Sequence, residues 1–167
     1  MKRFHRSHER RGAVAVEAAV CLTLLVILML GLWEVGRLVQ VNQILNNAVR
    51  EGARLAAGGY VNSVPVTNAM VQQAVKDYMT SAGLPSAAVT GSTVTLTCLS
   101  SPTWTNPSAA LPLDQFRVTV TVPSGTAFNS LKWNLLSSVT SATSMTTSVR
   151  WQSLNNAVIT VPTSLPF

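Results

Sequence analysis

The chain is organised around the stretch from Arg10 to Arg37, which reads RRGAVAVEAAVCLTLLVILMLGLWEVGR. Between Ala13 and Trp33 the one charged residue is Glu17. A helix of that length, at about 1.5 Å rise per residue, crosses a hydrocarbon core of about 30 Å. The stretch therefore predicts a transmembrane helix over residues 13–33 in contact with the lipid bilayer.

The distribution of charge indicates an orientation and argues against nucleic-acid binding. The chain of 167 residues carries a formal net charge of +6, but five of its twelve basic residues precede Gly12. From Ala13 onward seven basic residues face five acidic ones, which is too small an excess for a nucleic-acid-binding surface. A basic cluster directly before an apolar span places the N-terminus in the cytoplasm. We therefore expect a basic leader over residues 1–12, a single-pass anchor and one modest domain outside the cytoplasm.

The apolar run is better explained as a retained anchor than as a cleaved secretory signal. It is longer than the apolar region of an ordinary signal peptide, and the residues that end it, Leu32 to Val35, contain no small-residue cleavage site. Release of a soluble domain by cleavage after Leu32 is the alternative, and it predicts that the domain appears in the medium.

The helix is predicted to continue beyond the membrane, because no proline occurs between Trp33 and Gly58. Over residues 34–58, apolar or small residues recur at alternating spacings of three and four, which indicates an amphipathic helix. These seam positions are Leu38, Val41, Leu45, Ala48, Gly52 and Leu55. We expect one helix of about 45 residues that ends at Gly58 and Gly59. Its seam packs on the chain's own domain, on neighbouring subunits of a filament, or on both.

The remaining residues, 59–167, predict an extracytoplasmic α+β domain. A linker over residues 61–65 leads to a second helix over residues 66–82, closed by Gly83 and Pro85. Met70, Ala74 and Tyr78, with Val71 and Val75 beside them, mark the apolar face of this helix. We expect that face to pack on a sheet.

The second half of the domain predicts strands, because apolar and polar residues alternate there. The candidates are residues 94–98, 116–122 and about 139–151, and their pattern fits a small antiparallel sheet with one covered face and one wet face. Residues 128–136 fit a short helix or an extended loop. The tail, residues 154–167, fits an edge strand or a poorly ordered end.

Catalysis is not supported by the sequence. Both histidines, His5 and His8, lie in the leader, and the acids beyond the anchor are widely spaced. No nucleophile with its base, no metal-ligand cluster and no phosphate-binding loop can be assembled, so we expect no enzyme activity, no cofactor and no metal. Asp114 is predicted to cap a strand end or to pair with Arg117.

Glu17 is the costly feature, since a charge at the centre of a transmembrane helix costs about 2.5–3.5 kcal/mol. One interpretation is an acid that reaches the cytoplasmic interface and has no further role. The other requires cleavage after Gly12, which would create an α-amine on Ala13, one helical turn from Glu17. In a low-dielectric assembly such an amine and carboxylate attract strongly and offset each other's burial cost. Shared between subunits, the pair would set the axial register of bundled helices.

A basic leader, a glycine, a glutamate five residues later and an apolar helix together resemble the precursors of type IV pilins. The segment from Arg11 to Ala57 resembles, more narrowly, TadE-like proteins, the minor pseudopilins of the tight-adherence (Flp) pilus machinery. Besides Gly12 and Glu17, the residues that carry this resemblance are Glu34-x-x-Arg37, Asn46-Asn47-Ala48 and Arg50-Glu51-Gly52-Ala53-Arg54.

The resemblance implies a pilin-like fold and cleavage between Gly12 and Ala13 by a prepilin peptidase. It also implies residence in the bacterial inner membrane and assembly, through Glu17, with other pilins and pseudopilins into an adhesive Flp pilus or a related export apparatus. The alternative is an unprocessed, signal-anchored binding protein of the cell envelope. The segment from Arg50 to Arg54 is either a solvated helix face or a contact face for the sheet or a partner subunit.

Overall fold

The computed structural model describes residues 7–100, 102–132 and 144–155, with side chains described from Gly12 onward. Helix α1 runs unbroken from Ser7 to Gly58, over 52 residues. Gly59, at φ +66°, follows it in the left-handed conformation that glycine adopts without strain. The predicted long helix is confirmed. It begins before the expected start at Ala13, because extending a helix costs far less than nucleating one.

The second half of α1 buries one face in the folded domain. The buried residues are Val41, Leu45, Ala48, Val49, Gly52, Ala53, Ala56 and Ala57. Four of the six predicted seam positions are among them, whereas Leu38 and Leu55 are half-buried. A straight helix has 3.6 residues per turn, so a repeat of alternating threes and fours drifts around it and the buried face moves off the seam. The seam thus packs on the chain's own domain.

The predicted linker is a small β-hairpin. Strand β1, Tyr60–Val61, pairs antiparallel with β2, Val64–Pro65. The two residues between them, Asn62 and Ser63, have φ values of 48° and 67°, as in the tight turns that match the twist of hairpin strands. The sequence interpretation missed this hairpin because its strands are only two residues long.

Helix α2, Asn68–Ser81, follows the hairpin and confirms the predicted second helix. The side chain of Thr67 caps its start by accepting a hydrogen bond from the backbone N–H of Met70. Its fully buried residues are Val71, Val75 and Met79, whereas the predicted Met70, Ala74 and Tyr78 are half-buried. The buried face is therefore centred one position later than Met70, Ala74 and Tyr78, and it includes both valines that the sequence placed beside the predicted face.

Three antiparallel strands form the main sheet in the order β3–β4–β5. They are β3 (Thr93–Cys98), β4 (Gln115–Val122) and β5 (Met145–Gln152). A short helix, α3 (Ser86–Gly91), precedes β3, and the connections between the strands contain a 3-10 helix (Pro107–Ala109) and α4 (Thr126–Asn129). The first two strands lie close to where alternation predicted them. Residues 139–143 of the third predicted strand, residues 133–136 of the uncertain loop and the tail from 156 lie outside the described residues.

The helices cover one face of this sheet, as the alternating pattern predicted. The central strand β4 turns Phe116, Val118, Val120 and Val122 inward, and all four are fully buried. On β5 the residues opposite them in register are Trp151, Val149, Thr147 and Met145. Helix α1 contacts β4 and β5, and α2 contacts β3. The core therefore lies between two helices and one face of the sheet.

Strand β5 fixes the direction of the sheet relative to α1. The Thr147 hydroxyl donates to Asn46 Oδ1 over 2.6 Å, and the backbone N–H of Leu154 donates to the carbonyl of Ala57 over 2.8 Å. The end of the sheet formed by Cys98, Gln115 and Gln152 consequently lies beside the C-terminal end of α1. We call this end, far from the apolar half of α1, the distal end of the domain.

Candidate membrane anchor and assembly site

The first half of α1 projects from the domain as a bare apolar rod. Every residue from Gly12 to Met29 is exposed, and the exposed fractions of its large apolar side chains run from 48% to 66%. A continuous apolar surface of this extent is unfavourable in water. By length and composition, α1 is able to cross a membrane.

Gly12, Ala13 and Glu17 lie on one regular helix. Residues four apart in an α-helix are neighbours on the same face, so Ala13 and Glu17 are separated by about 6 Å along the axis. All three are exposed, and a side chain at Gly12 would meet nothing within 4 Å. The segment is therefore open to a membrane-embedded enzyme and to other helices.

Glu17 differs from Thr23, another polar residue of the span, which has a hydrogen-bond partner on its own helix. Thr23 donates its hydroxyl to the carbonyl of Ala19 over 2.8 Å, which removes much of the cost of placing it in lipid. Among the described side chains none forms a hydrogen bond or ion pair with Glu17. Within the described part of the chain, the carboxylate of Glu17 is therefore free to interact with a group from outside it.

The polar end of the span is asymmetric around the helix. Glu34 is only 3% exposed and Arg37 is half-buried, so both face the domain. Val35 and Val39, on the other side, are 57% and 51% exposed. The exposed apolar surface thus continues to Val39, beyond the predicted end of the span at Trp33.

The sequence interpretation did not predict that Glu34 is buried, although the position of Glu34 in the helical repeat indicates it. Glu34 precedes Leu38 by four residues and so continues the seam that Leu38 and Val41 define. Arg37, one turn after Glu34, donates from Nη1 to Gln40 Oε1 over 3.1 Å.

The segment from Arg50 to Arg54 is split between two surfaces. Gly52 and Ala53 are buried, with Gly52 against Val75 of α2, whereas Arg50 and Arg54 are exposed. Arg54 binds Glu51 through two hydrogen bonds, of 3.0 Å and 2.6 Å. These bonds lower the pKa of Glu51 and raise the pKa of Arg54. The small residues therefore contact the chain's own second helix, and the arginines form a solvated face.

The side of α1 that faces away from the domain becomes polar after Val39. Its exposed residues recur at spacings of three and four, which places them along one stripe: Gln40, Gln43, Asn47, Arg50 and Arg54. Any subunit that packs beside this part of α1 meets amide and guanidinium groups, because the apolar seam is already occupied by the domain.

Residues 12–54 match the family model described as TadE-like protein. The match covers about a quarter of the chain, includes Gly12 and Glu17, and confirms the resemblance inferred from the residues between Arg11 and Ala57. It ends within α1 and does not extend to the sheet. No curated protein and no solved structure matches the chain.

Proposed function

Because its N-terminal helix is TadE-like, we propose that the chain is a minor pseudopilin that takes part in assembly of a Tad-type (Flp) pilus or a related export apparatus. In this role it is inserted in the bacterial inner membrane through α1, with its N-terminus in the cytoplasm and its domain outside. A prepilin peptidase removes residues 1–12. The function is one of assembly and involves no catalysis by the chain itself.

One observation carries this proposal: a helix exposed along its described apolar half holds a single acid, Glu17, five residues after Gly12, within the segment that matches TadE-like proteins, and no described side chain pairs with it. A simple anchor gains nothing from an acid in this position, since the acid only raises the cost of insertion. An assembly subunit gains a polar contact that can be satisfied in one arrangement of helices and not in others.

The geometry of α1 explains how a charge pair sets the axial offset between neighbouring helices in an assembly. After cleavage the new α-amine on Ala13 is one turn from its own Glu17 and is equally available to the Glu17 of a neighbour displaced along the axis. In a low-dielectric bundle the two opposite charges favour one axial displacement between the helices, because sliding one helix along the other would leave both groups buried and unpaired. The charge pair therefore selects an axial position, while apolar contacts supply most of the association energy.

The domain is held rigidly to this helix. Leu45, Val49 and Ala53 of α1 are fully buried, and the Asn46–Thr147 hydrogen bond ties the second half of α1 to β5. The position of the membrane helix in an assembly therefore fixes the position and orientation of the domain outside the membrane.

Cleavage is tested by intact mass of the full chain extracted from membranes of its native host. We expect the mass of residues 13–167 for the natural chain and the full-length mass for Gly12→Ala, together with loss of pili. Gly36→Ala is the matched control, since Gly36 also lies on α1 with open space around it, and this variant should be processed normally. A leader retained by the natural chain in a host that has the peptidase would contradict the proposal and favour the unprocessed envelope-binding protein.

A further inference from the structure

The apolar surface of α1 ends at different heights on its two sides. On the domain side the first charged residue is Glu34, which is buried under protein. On the opposite side Val35 and Val39 are more than half exposed, and the first polar residue after them is Gln40. Gln40 comes six residues after Glu34, which is about 9 Å along the helix axis. The side that faces away from the domain therefore stays apolar for about 9 Å longer.

An upright helix cannot suit both sides. If the hydrocarbon ended level with Trp33 all round, the side chains of Val35 and Val39 would lie in water. If it ended level with Val39 all round, Glu34 and the protein that covers it would lie in lipid, where charged groups are costly. A tilt away from the domain removes this conflict, because the lower side of a leaning helix leaves the membrane later than its upper side.

The size of the offset gives the size of the tilt. A helix with its side chains is about 10–12 Å wide, so an offset of about 9 Å across that width corresponds to a tilt of about 40°. Transmembrane helices are tilted by about 0–40° from the bilayer normal. The asymmetry of α1 thus requires a tilt at the upper end of the ordinary range.

This tilt turns the polar stripe of α1 toward the membrane surface and leaves the domain above the helix. At about 40° each residue rises by about 1.1 Å, so Gln43 lies about 5 Å above Val39, within a headgroup layer of about 5–7 Å. Asn47 and Arg50 follow on the same exposed side, about 9 Å and 13 Å above Val39. Their side chains, and the long side chain of Arg50 above all, extend back toward the headgroups.

Arg50 supplies a charge that suits lipid phosphate. Within the part of the chain that the structure describes, Arg50 forms no ion pair or hydrogen bond. The acid next to it in sequence, Glu51, is held by Arg54 through two hydrogen bonds. Guanidinium and amide groups donate well to phosphate oxygens, and basic residues beside a membrane are attracted to anionic lipids.

We propose that, before assembly, the side of α1 that faces away from the domain lies against the bilayer surface. Lipid tails cover Val35 and Val39, and headgroup phosphates bind Gln43, Asn47 and Arg50. A second copy of the chain is the competing occupant. The bilayer is favoured because this side continues, without a break, the apolar surface by which α1 contacts lipid. The inference requires insertion through α1 but neither cleavage after residue 12 nor pilus assembly, so it is tested separately from the proposed function.

The depths of two neighbouring residues test the tilt. Gln43→Cys and Asn42→Cys are each labelled with the fluorophore NBD, in a full chain that carries Cys21→Ser and Cys98→Ser. The chains are reconstituted in vesicles of phosphatidylethanolamine and phosphatidylglycerol, and quenching by lipids brominated at different depths locates each label. Both positions are exposed, and they point about 100° apart around the helix.

A tilted helix and an upright helix give opposite orders of depth. At a tilt of about 40° we expect the label at Gln43 to lie about 3 Å deeper than the label at Asn42, although Gln43 is later in the chain. An upright helix places Asn42 about 1.5 Å deeper than Gln43. Equal depths, or a deeper label at Asn42, would overturn the proposal.

Two variants with matched controls test what the membrane recognises. Val39→Gln should abolish the greater depth of the Gln43 label, whereas Leu113→Gln, at an exposed leucine of the distal end, should not. Arg50→Gln should reduce the depth difference, whereas Arg150→Gln, at an exposed arginine of β5, should leave it unchanged. Equal effects of the two arginine variants would overturn the role of the headgroups.

The competing occupant has its own outcome in the same vesicles. Chains with Gln43→Cys are left unlabelled and treated with a mild oxidant. A disulfide between two chains, together with a label at Gln43 that is no deeper than the label at Asn42, would assign this side of α1 to a second copy and would overturn the proposal.

Discussion

Gly52 sets the distance between α1 and α2. A Cβ atom at this position would overlap Cγ2 of Val75 and would lie 3.5 Å from Cγ1 of Val71. Both valines are fully buried and β-branched, so they have little freedom to turn away. The sequence placed Gly52 on the predicted seam of the helix. It could not identify α2 as the partner, because that depends on how the chain folds back through the hairpin.

Gly52→Ala should therefore destabilise the domain by about 1–3 kcal/mol, the usual effect of overpacking a buried contact. Thermal unfolding of the full chain in detergent, followed by circular dichroism, measures the change. Gly36→Ala should be neutral or stabilising by up to about 1 kcal/mol, because it adds a methyl group to an exposed helical position. Adding Val75→Ala to Gly52→Ala should recover part of the loss by non-additivity. Equal stability of the two glycine variants would refute a packing role for Gly52.

At the scale of the element, the apolar periodicity predicted which segments are helices and which are strands better than it predicted which face of each element is buried. The long helix, the second helix and strands β3 and β4 follow from their patterns. The hairpin at Tyr60–Pro65 does not, since two-residue strands show no alternation. The buried face of α2 lies one position later than the predicted one. The surface of α1 opposite α2 consists of alanine and glycine, and the valines of α2 pack more closely against these small residues than Tyr78 or Met70.

The buried face of α1 supplies a prediction that separates domain packing from filament packing. Leu45 is fully buried and Gln43, two residues earlier, is exposed. Leu45→Ala should lower the free energy of unfolding by about 2–5 kcal/mol through a lost transfer term and a cavity. Gln43→Ala should change it by less than about 0.5 kcal/mol. Urea unfolding of the detergent-solubilised chain makes the comparison. A stable Leu45→Ala protein that fails to assemble would show instead that the seam contacts neighbouring subunits.

At the scale of the molecule, the two ends of the protein differ in how far sequence could predict their geometry. Ala13 and Glu17 are four residues apart, so helical geometry alone places them on one face. The distal end of the sheet joins Gln115 to residues 150–154, and only the strand register and the backbone hydrogen bonds of Ser153 with Leu113 and Asp114 make them neighbours. Asp114 was predicted to cap a strand end or to pair with Arg117. It accepts the backbone N–H of Leu111 over 2.8 Å in the turn before β4, and no ion pair joins it to Arg117 among the described residues.

The membrane half of α1 carries the last prediction, since Glu17 is exposed and touches nothing in the domain. Glu17→Gln should leave folding, insertion and thermal unfolding unchanged while pilus number falls about tenfold or more, because losing a charge pair from each subunit contact weakens association by at least that factor. Glu17→Asp keeps the charge on a shorter side chain and should retain part of the function. Counting pili by electron microscopy in the native host measures both. If Glu17→Gln cells make normal numbers of pili, then the carboxylate is only an interfacial acid, and the register of the helices has to come from the polar stripe between Gln40 and Arg54.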